Sequence, residues 1–371
     1  MKSPWFVDTT LRDGEQAPGV AFSSDQAFSI AEKLAAIGIP ELEIGTPAMG
    51  PAEIEKMRRI ARAHLGCRTT AWCRADERDI DAAVASGVDA VHLSFPMSDI
   101  HLNALLKNRA WVLERAGHLV TLAKERFGYV SVGAQDASRA PKLWLRSFGR
   151  LVADLGAARL RIADTVGIWE PTQCHESISK LRAALPDIEI GVHTHDDLGM
   201  ATANAVVAAR AGADAVDVTV NGLGERAGNA ALEEVVMAVE VAWGVSSGLA
   251  LDQLMALSQL VEQCSGRSVH RQKAVVGKSA FEHESGIHVH AMLRDARSYQ
   301  PFAPQRLGRG RSEFVIGKHS GRAALAQMLT DRGQPASPAK IEDLRERLLR
   351  HAEGQADPLT HQDLESLVTA G

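Results

Sequence analysis

The 371-residue chain holds only four cysteines, Cys67, Cys73, Cys174 and Cys264, and no two of them form a C-x-x-C pair. That spacing indicates neither a zinc ribbon nor a disulfide framework, and reduced thiols in the cytoplasm fit it best. No apolar run approaches the roughly 18 residues that span a bilayer, so no membrane segment is expected. The N-terminus passes straight into a strand pattern, and no signal peptide is expected. Positive charge is not in excess: 41 Lys and Arg stand against 46 Asp and Glu, for a net charge of −5. With the arginines dispersed, neither nucleic acid nor an anionic membrane is an expected partner. There is no repeat of solenoid period and no low-complexity tract.

What is present is ordinary for a soluble globular enzyme, with 45% apolar and 23% charged residues. The length suits two domains, or one large domain with an appendage. Short β-type runs alternate with helical patterns. The strands expected are Trp5–Leu11, Glu41–Gly45, Arg68–Cys73, Ala90–Phe95, Tyr129–Ala134, Arg159–Asp164, Glu189–Thr194 and Ala215–Asn221. Helices are expected between them, among them Ser24–Ile37, Asn103–Phe127 and Pro171–Leu185, and several end in glycine, as at Gly38 and Gly87. Eight strand–helix units match a (β/α)8 TIM barrel over residues 1–245, with a doubly wound open sheet as the competitor. The barrel is preferred because the strands number eight and polar residues recur at their C-terminal ends, where a barrel gathers them at one mouth. Residues 246–371 read as a mainly helical appendage, with little periodicity over Gly266–Arg311.

His193-Thr194-His195 closes the seventh strand pattern. Residues i and i+2 of a strand share a face, so two imidazoles address one point, as a pair of metal ligands would. Asp8 and Asp13 flank the end of the first strand and could each bind a metal, while Arg12 between them can stabilise an oxyanion. The loop Asn221–Asn229, rich in glycine, follows the last strand, where barrels often hold anionic groups.

These motifs, with Leu42–Gly45, Ala163–Gly167, His193–Gly199, His283–His288 and Gly317–Gly321, make the chain resemble the metal-dependent acyl-CoA condensing enzymes. That family includes the 2-isopropylmalate, citramalate and homocitrate synthases, within a superfamily shared with the hydroxymethylglutaryl-CoA lyases. The resemblance implies one divalent ion (Mg2+, Mn2+, Zn2+ or Fe2+) held by Asp13, His193 and His195, with Asn229 as a weaker or outer ligand. It implies that Arg12, Gln16 and Thr165 contact a 2-oxo acid, that Glu43 sits at the same mouth with a catalytic part, and that His288, assisted by Tyr299, is the base acting on acetyl-CoA. It implies a homodimer in which the appendage of one subunit covers the barrel of its partner. One departure stands out: relatives usually carry glutamate where this chain has Gln135, which cannot accept a proton.

Among those relatives the chain, for which no C-terminal regulatory domain is expected, resembles the short homocitrate synthases, most closely those serving nitrogenase cofactor assembly. Gly19–Phe22, Ala71–Arg74 and Pro96–Asp99 point the same way. The expected reaction joins acetyl-CoA and 2-oxoglutarate to give (R)-homocitrate and CoA. Arg74 and Arg139, at the ends of strands three and five, are the candidates to meet the second carboxylate of 2-oxoglutarate. Another 2-oxo acid, 2-oxoisovalerate or pyruvate, is the nearest alternative. An acyl-CoA lyase is the next, although the Asn221–Asn229 loop lacks the cysteine such lyases carry there.

Overall fold

The computed structural model describes residues 2–354 and 365–368. Eight parallel strands in chain order close into a barrel: β1 (Trp5–Asp8), β2 (Glu41–Gly45), β3 (Arg68–Arg74), β4 (Ala90–Pro96), β5 (Tyr129–Gln135), β6 (Arg159–Asp164), β7 (Glu189–Thr194) and β8 (Ala215–Val218). The closing pair sets Trp5 against Ala215 and Asp8 against Val218. This is the (β/α)8 barrel the strand count implies, with helices between successive strands.

Two strands stop earlier than their β-type residues suggest. The Asp8 carboxylate accepts hydrogen bonds from the Thr10 amide (2.9 Å) and hydroxyl (3.1 Å), and this local turn ends β1 three residues before Leu11. Asp13 therefore arrives on a turn beyond the strand. At the other seam, Val220–Gly222 forms a single helical turn with Asn221 at φ 61°, so β8 ends at Val218. The expected helix over Asn103–Phe127 is two helices, Asp99–Ala104 and Arg109–Arg126. Ser98 caps the first and Asn108 the second, each through a side-chain oxygen accepting a backbone N–H.

The barrel interior is not wholly apolar. Arg159 on β6 places Nη1 and Nη2 each 3.1 Å from the two oxygens of Glu41 on β2. Trp5 Nε1 and Thr70 Oγ1 also donate to Glu41. One layer nearer the C-terminal mouth, Arg161 meets Glu43. Both arginines have raised pKa values, burial working against the charge and the facing carboxylates outweighing it.

The chain packs as two compact units, Met1–Val269 and His270–Gly371. The division falls later than residue 245 because helix Leu254–Ser265 packs against helix Ser24–Ile37 of the first unit. In the second unit the two short strands β9 (Glu282–His283) and β10 (Glu313–Phe314) pair in parallel. Helices Gly286–Met292, Arg322–Asp331 and Pro338–Gly354 enclose a small core that includes Val289, Leu325, Leu329 and Leu344. The motifs around Gly286 and Gly321 touch directly: a Cβ on Gly286 would lie 2.7 Å from the Gly321 nitrogen. No helix among the described residues is long and apolar enough to cross a membrane.

Breaking the deep ion pair from one side should be costly. Arg159→Met leaves Arg68 as the one guanidinium paired with the buried Glu41 carboxylate, and a loss of about 3–5 kcal/mol in denaturant unfolding is expected; replacing Glu41 and Arg159 together by apolar residues should cost much less.

Candidate metal centre and active site

β7 turns His193 inward, and His195 follows where β7 ends. Their Nε2 atoms are 3.1 Å apart. Asp13 Oδ2 lies 3.4 Å from His193 Nε2. These three are the one group of His, Cys, Asp and Glu side chains among the described residues that brings three ligand atoms within 4.8 Å of one another. All three are buried.

The donor chemistry fits a divalent ion. Asp217 on β8 accepts at 3.0 Å from His193 Nδ1, which leaves the Nε2 lone pair facing Asp13 and His195. A carboxylate oxygen and two ring nitrogens converging on one point are a donor set that one divalent ion would satisfy. Bonds of about 2.0–2.1 Å from neighbouring ligands to one ion place those ligands about 3 Å apart. Burial, then His193, push His195 down to about 3, so its ring is neutral at physiological pH, as ligation requires. Burial pushes the Asp13 carboxyl up, but Arg12 and the imidazoles outweigh it and hold Asp13 well below the usual carboxylate range. Burial lowers His193, while Asp13 and Asp217 raise it by more. Asn229 donates Nδ2 to Asp13 Oδ1 at 2.9 Å, and its buried Oδ1 has no hydrogen-bond partner, a spare acceptor beside the cluster. Asp8, the other carboxylate near the first strand, takes no part, because Thr10 occupies it.

Above the cluster opens a cavity of about 270 Å3 at the C-terminal mouth of the barrel. That is a volume for a small acid rather than a drug-sized ligand. Arg12, Gln16 and Thr165 line it, and so does Gln135. Glu43 does not: its Oε1 accepts from Arg12 Nε and its Oε2 from Arg161 Nη2, both at 2.6 Å. Burial opposes its charge, yet the two arginines hold its pKa below the ordinary value. Glu43 thus orients Arg12 from beneath rather than facing the cavity.

Arg74 and Arg139 are also placed elsewhere. Arg74 forms a two-point pair with Asp79 (2.9 and 2.8 Å), and its side chain is 59% exposed. Arg139 is captured by Asp136 at 2.8–3.0 Å. Neither lines the cavity, because a nearby carboxylate matches each guanidinium first. His288 and Tyr299 lie together in the second unit, rings stacked at 3.9 Å and 23°.

Arg161, His92 and Ser94 line the cavity and Asp217 supports it, and these four escaped the motif reading. Trp72 and Arg226 line it too, inside the Ala71–Arg74 and Asn221–Asn229 motifs, where neither was given a role. The signal for three of them was available: Arg161, His92 and Asp217 are ionisable residues set into otherwise apolar strands. Arg226, in the loop after β8, bonds both oxygens of Asp197 (2.8 and 2.9 Å) and the Thr165 carbonyl (2.7 Å).

The family model HMGL-like matches residues 3–261, and one described as homocitrate synthase post-HMGL domain-like matches residues 275–356. The chain belongs to the HMGL-like family. Within that family it is similar to 2-isopropylmalate synthase 2 of Caldanaerobacter subterraneus, 47% identical over 90% of this chain and 86% of that protein. It is similar also to homocitrate synthase 1 of a Nostoc species, 42% identical over 97% and 96%. These synthases are acyltransferases of the HMGL-like superfamily, and this HMGL-like chain is an enzyme of the same kind. Its barrel superposes on the HMG-CoA lyase of Bacillus subtilis with a TM-score of 0.66 at 22% identity, covering 72% of this chain and 96% of the lyase.

Calorimetric titration with Mn2+ or Zn2+ should show one site per chain. Asp13→Ala and His195→Ala should lose it with circular dichroism unchanged, and Asp217→Asn should bind about 10–100-fold more weakly.

Proposed function

We propose that this protein is a homocitrate synthase, condensing acetyl-CoA with 2-oxoglutarate and water to give (R)-homocitrate and CoA in the cytoplasm. The observation that carries the reading is the convergence of Asp13, His193 and His195 beneath a cavity walled by Arg12, Gln16 and Thr165. A divalent ion held there would make the keto carbon of a chelated 2-oxo acid electrophilic. Arg12 is fixed by Glu43 and Asp13, with its guanidinium at the cavity, and there it would stabilise the alkoxide that forms when the acetyl-CoA methyl carbon attacks. Glu43 positions that guanidinium and does not transfer a proton itself. Thr165 accepts from the Asp136 amide at 2.8 Å, which holds its side chain in place at the wall.

The methyl carbon of a thioester is a weak acid and needs a placed base. Gln135 lines the cavity but is a neutral amide. We assign the base to His288 with Tyr299, and hydrolysis of the resulting thioester completes the reaction. In this reading the enzyme is a homodimer whose appendages supply these groups.

Identity to relatives does not separate the 2-oxo acids, since a 2-isopropylmalate synthase and a homocitrate synthase match comparably well. Homocitrate is favoured because the homocitrate synthase matches almost end to end and the second unit matches a homocitrate synthase domain model. The test is thiol release from acetyl-CoA with 2-oxoglutarate, 2-oxoisovalerate and pyruvate. The highest kcat/KM is expected with 2-oxoglutarate; a higher value with either other acid would reassign the substrate. Arg12→Lys should lower kcat about 100–1000-fold while metal affinity persists.

A further inference from the structure

The metal-ligand strand and the wall that carries Thr165 end in separate loops, and one side chain joins them. Arg226, in the loop after β8, donates Nε to Asp197 Oδ1 at 2.8 Å and Nη2 to Asp197 Oδ2 at 2.9 Å. The same Nη2 donates to the Thr165 carbonyl at 2.7 Å. Asp197 lies in the loop after β7, two residues beyond His195, and Thr165 follows the end of β6. One guanidinium therefore ties three loops together.

The loops after β7 and β8 are already joined through their backbones. His195 and Asn229 form an antiparallel bridge, and the Asp196 amide donates to the Gly228 carbonyl at 2.9 Å. The loop after β6 needs a tie of its own. Gly167 brings it close: at φ 60°, a Cβ there would lie 2.6 Å from Asp197 Oδ2 and 2.9 Å from the His195 carbonyl. Arg226 then closes the join, and it does so from a backbone at φ 56°, where a side chain is disfavoured. Glycine is the relaxed residue for that conformation. Strain of this kind persists where the surroundings hold it in place, and here three hydrogen bonds from the side chain do so.

We propose that Arg226 is a positioning residue: its guanidinium, aligned by Asp197, fixes Thr165 relative to the Asp13, His193 and His195 cluster. The inference rests on the reading above, in which Thr165 contacts a 2-oxo acid chelated at that cluster. Such an acid is held at two places carried by different strands, so the spacing between them sets how well it is aligned for attack. Asp136 holds the Thr165 hydroxyl from the β5 side at 2.8 Å but makes no reference to the ligand strand. Arg226 supplies that reference through the Thr165 main chain. The planar fork suits the task, because two of its nitrogens match both oxygens of Asp197 and leave the edge pointing at the carbonyl. A lysine offers a point charge and cannot hold both partners in one plane.

The experiment compares the full-length, Mn2+-loaded wild type with Arg226→Gly and Arg226→Ala, using whichever 2-oxo acid the wild type turns over best. Both variants lose the tie, but only glycine relaxes the backbone, so Arg226→Gly should melt at the higher temperature. Both should nevertheless lose about 100-fold in kcat/KM for the 2-oxo acid, with KM for acetyl-CoA and the Mn2+ affinity each within about threefold of wild type. The Arg226 side chain is 40% exposed, so its empty slot is open to solvent. Guanidinium at millimolar concentration should therefore restore part of the activity to both variants and none to the wild type. Adding Asp197→Ala to Arg226→Gly should cost little more than either change alone, since the two act through one contact. Losses that follow the melting temperature, or the absence of rescue by guanidinium, would overturn the positioning role. Absence of thiol release with every acid would instead sink the functional reading. Hydrogen exchange then decides the tie separately: it predicts faster exchange over residues 165–168 in Arg226→Gly, and unchanged exchange there would overturn it.

Discussion

A closed ring of polar contacts, in which three carboxylates alternate with two guanidiniums and an imidazole, underlies the site. Asp13 meets Arg12, Arg12 meets Glu43, Glu43 meets Arg161, Arg161 meets Asp217, Asp217 meets His193, and His193 returns to Asp13, each contact between 2.6 and 3.4 Å. The six residues come from β2, β6, β7, β8 and the turn after β1, so the ring exists only when the barrel is closed. Burying charges is expensive unless each is answered by its neighbours. Here the answer is mutual, and removing any member leaves its two neighbours with one partner each in place of two. The cavity floor is thereby preorganised: Arg12 and the ligand cluster have their positions set before any substrate arrives.

The ring also divides labour. Its members spend their charge on one another, so what remains for a ligand is directional. Asp13, His193 and His195 converge on one point. Arg12 faces the cavity while two carboxylates anchor it. Recognition of the rest of the substrate then falls to the walls, where β3, β4 and β5 contribute Trp72, His92, Ser94 and Gln135. The relatives it resembles carry the names of different synthases, 2-isopropylmalate synthase and homocitrate synthase.

Much of this was legible in the sequence. The strand count, the His193/His195 spacing and the Asp13 turn follow from periodicity and strand geometry, because a residue's face in a strand is fixed by parity. The two-helix break at Leu105–Asn108 was not legible, since the apolar pattern continues across it and only the caps at Ser98 and Asn108 mark the ends. Arg74 and Arg139 were read as substrate groups from their positions at strand ends, but position along a strand does not reveal which carboxylate a long side chain will reach. Asp79 and Asp136 decided that. Arg161, His92 and Asp217 were overlooked because an apolar strand was read for its apolar residues. An ionisable side chain within a fully enclosed barrel strand is costly enough to have been a signal by itself.

The central claim is that Asp13, His193 and His195 hold one divalent ion. Its most direct test is an anomalous difference map, at the zinc edge, from crystals of the protein grown with Zn2+. A single strong peak is expected about 2.0–2.2 Å from one Asp13 oxygen and from the two Nε2 atoms. A peak bound by other residues, with these three side chains still packed as they are here, would contradict the claim.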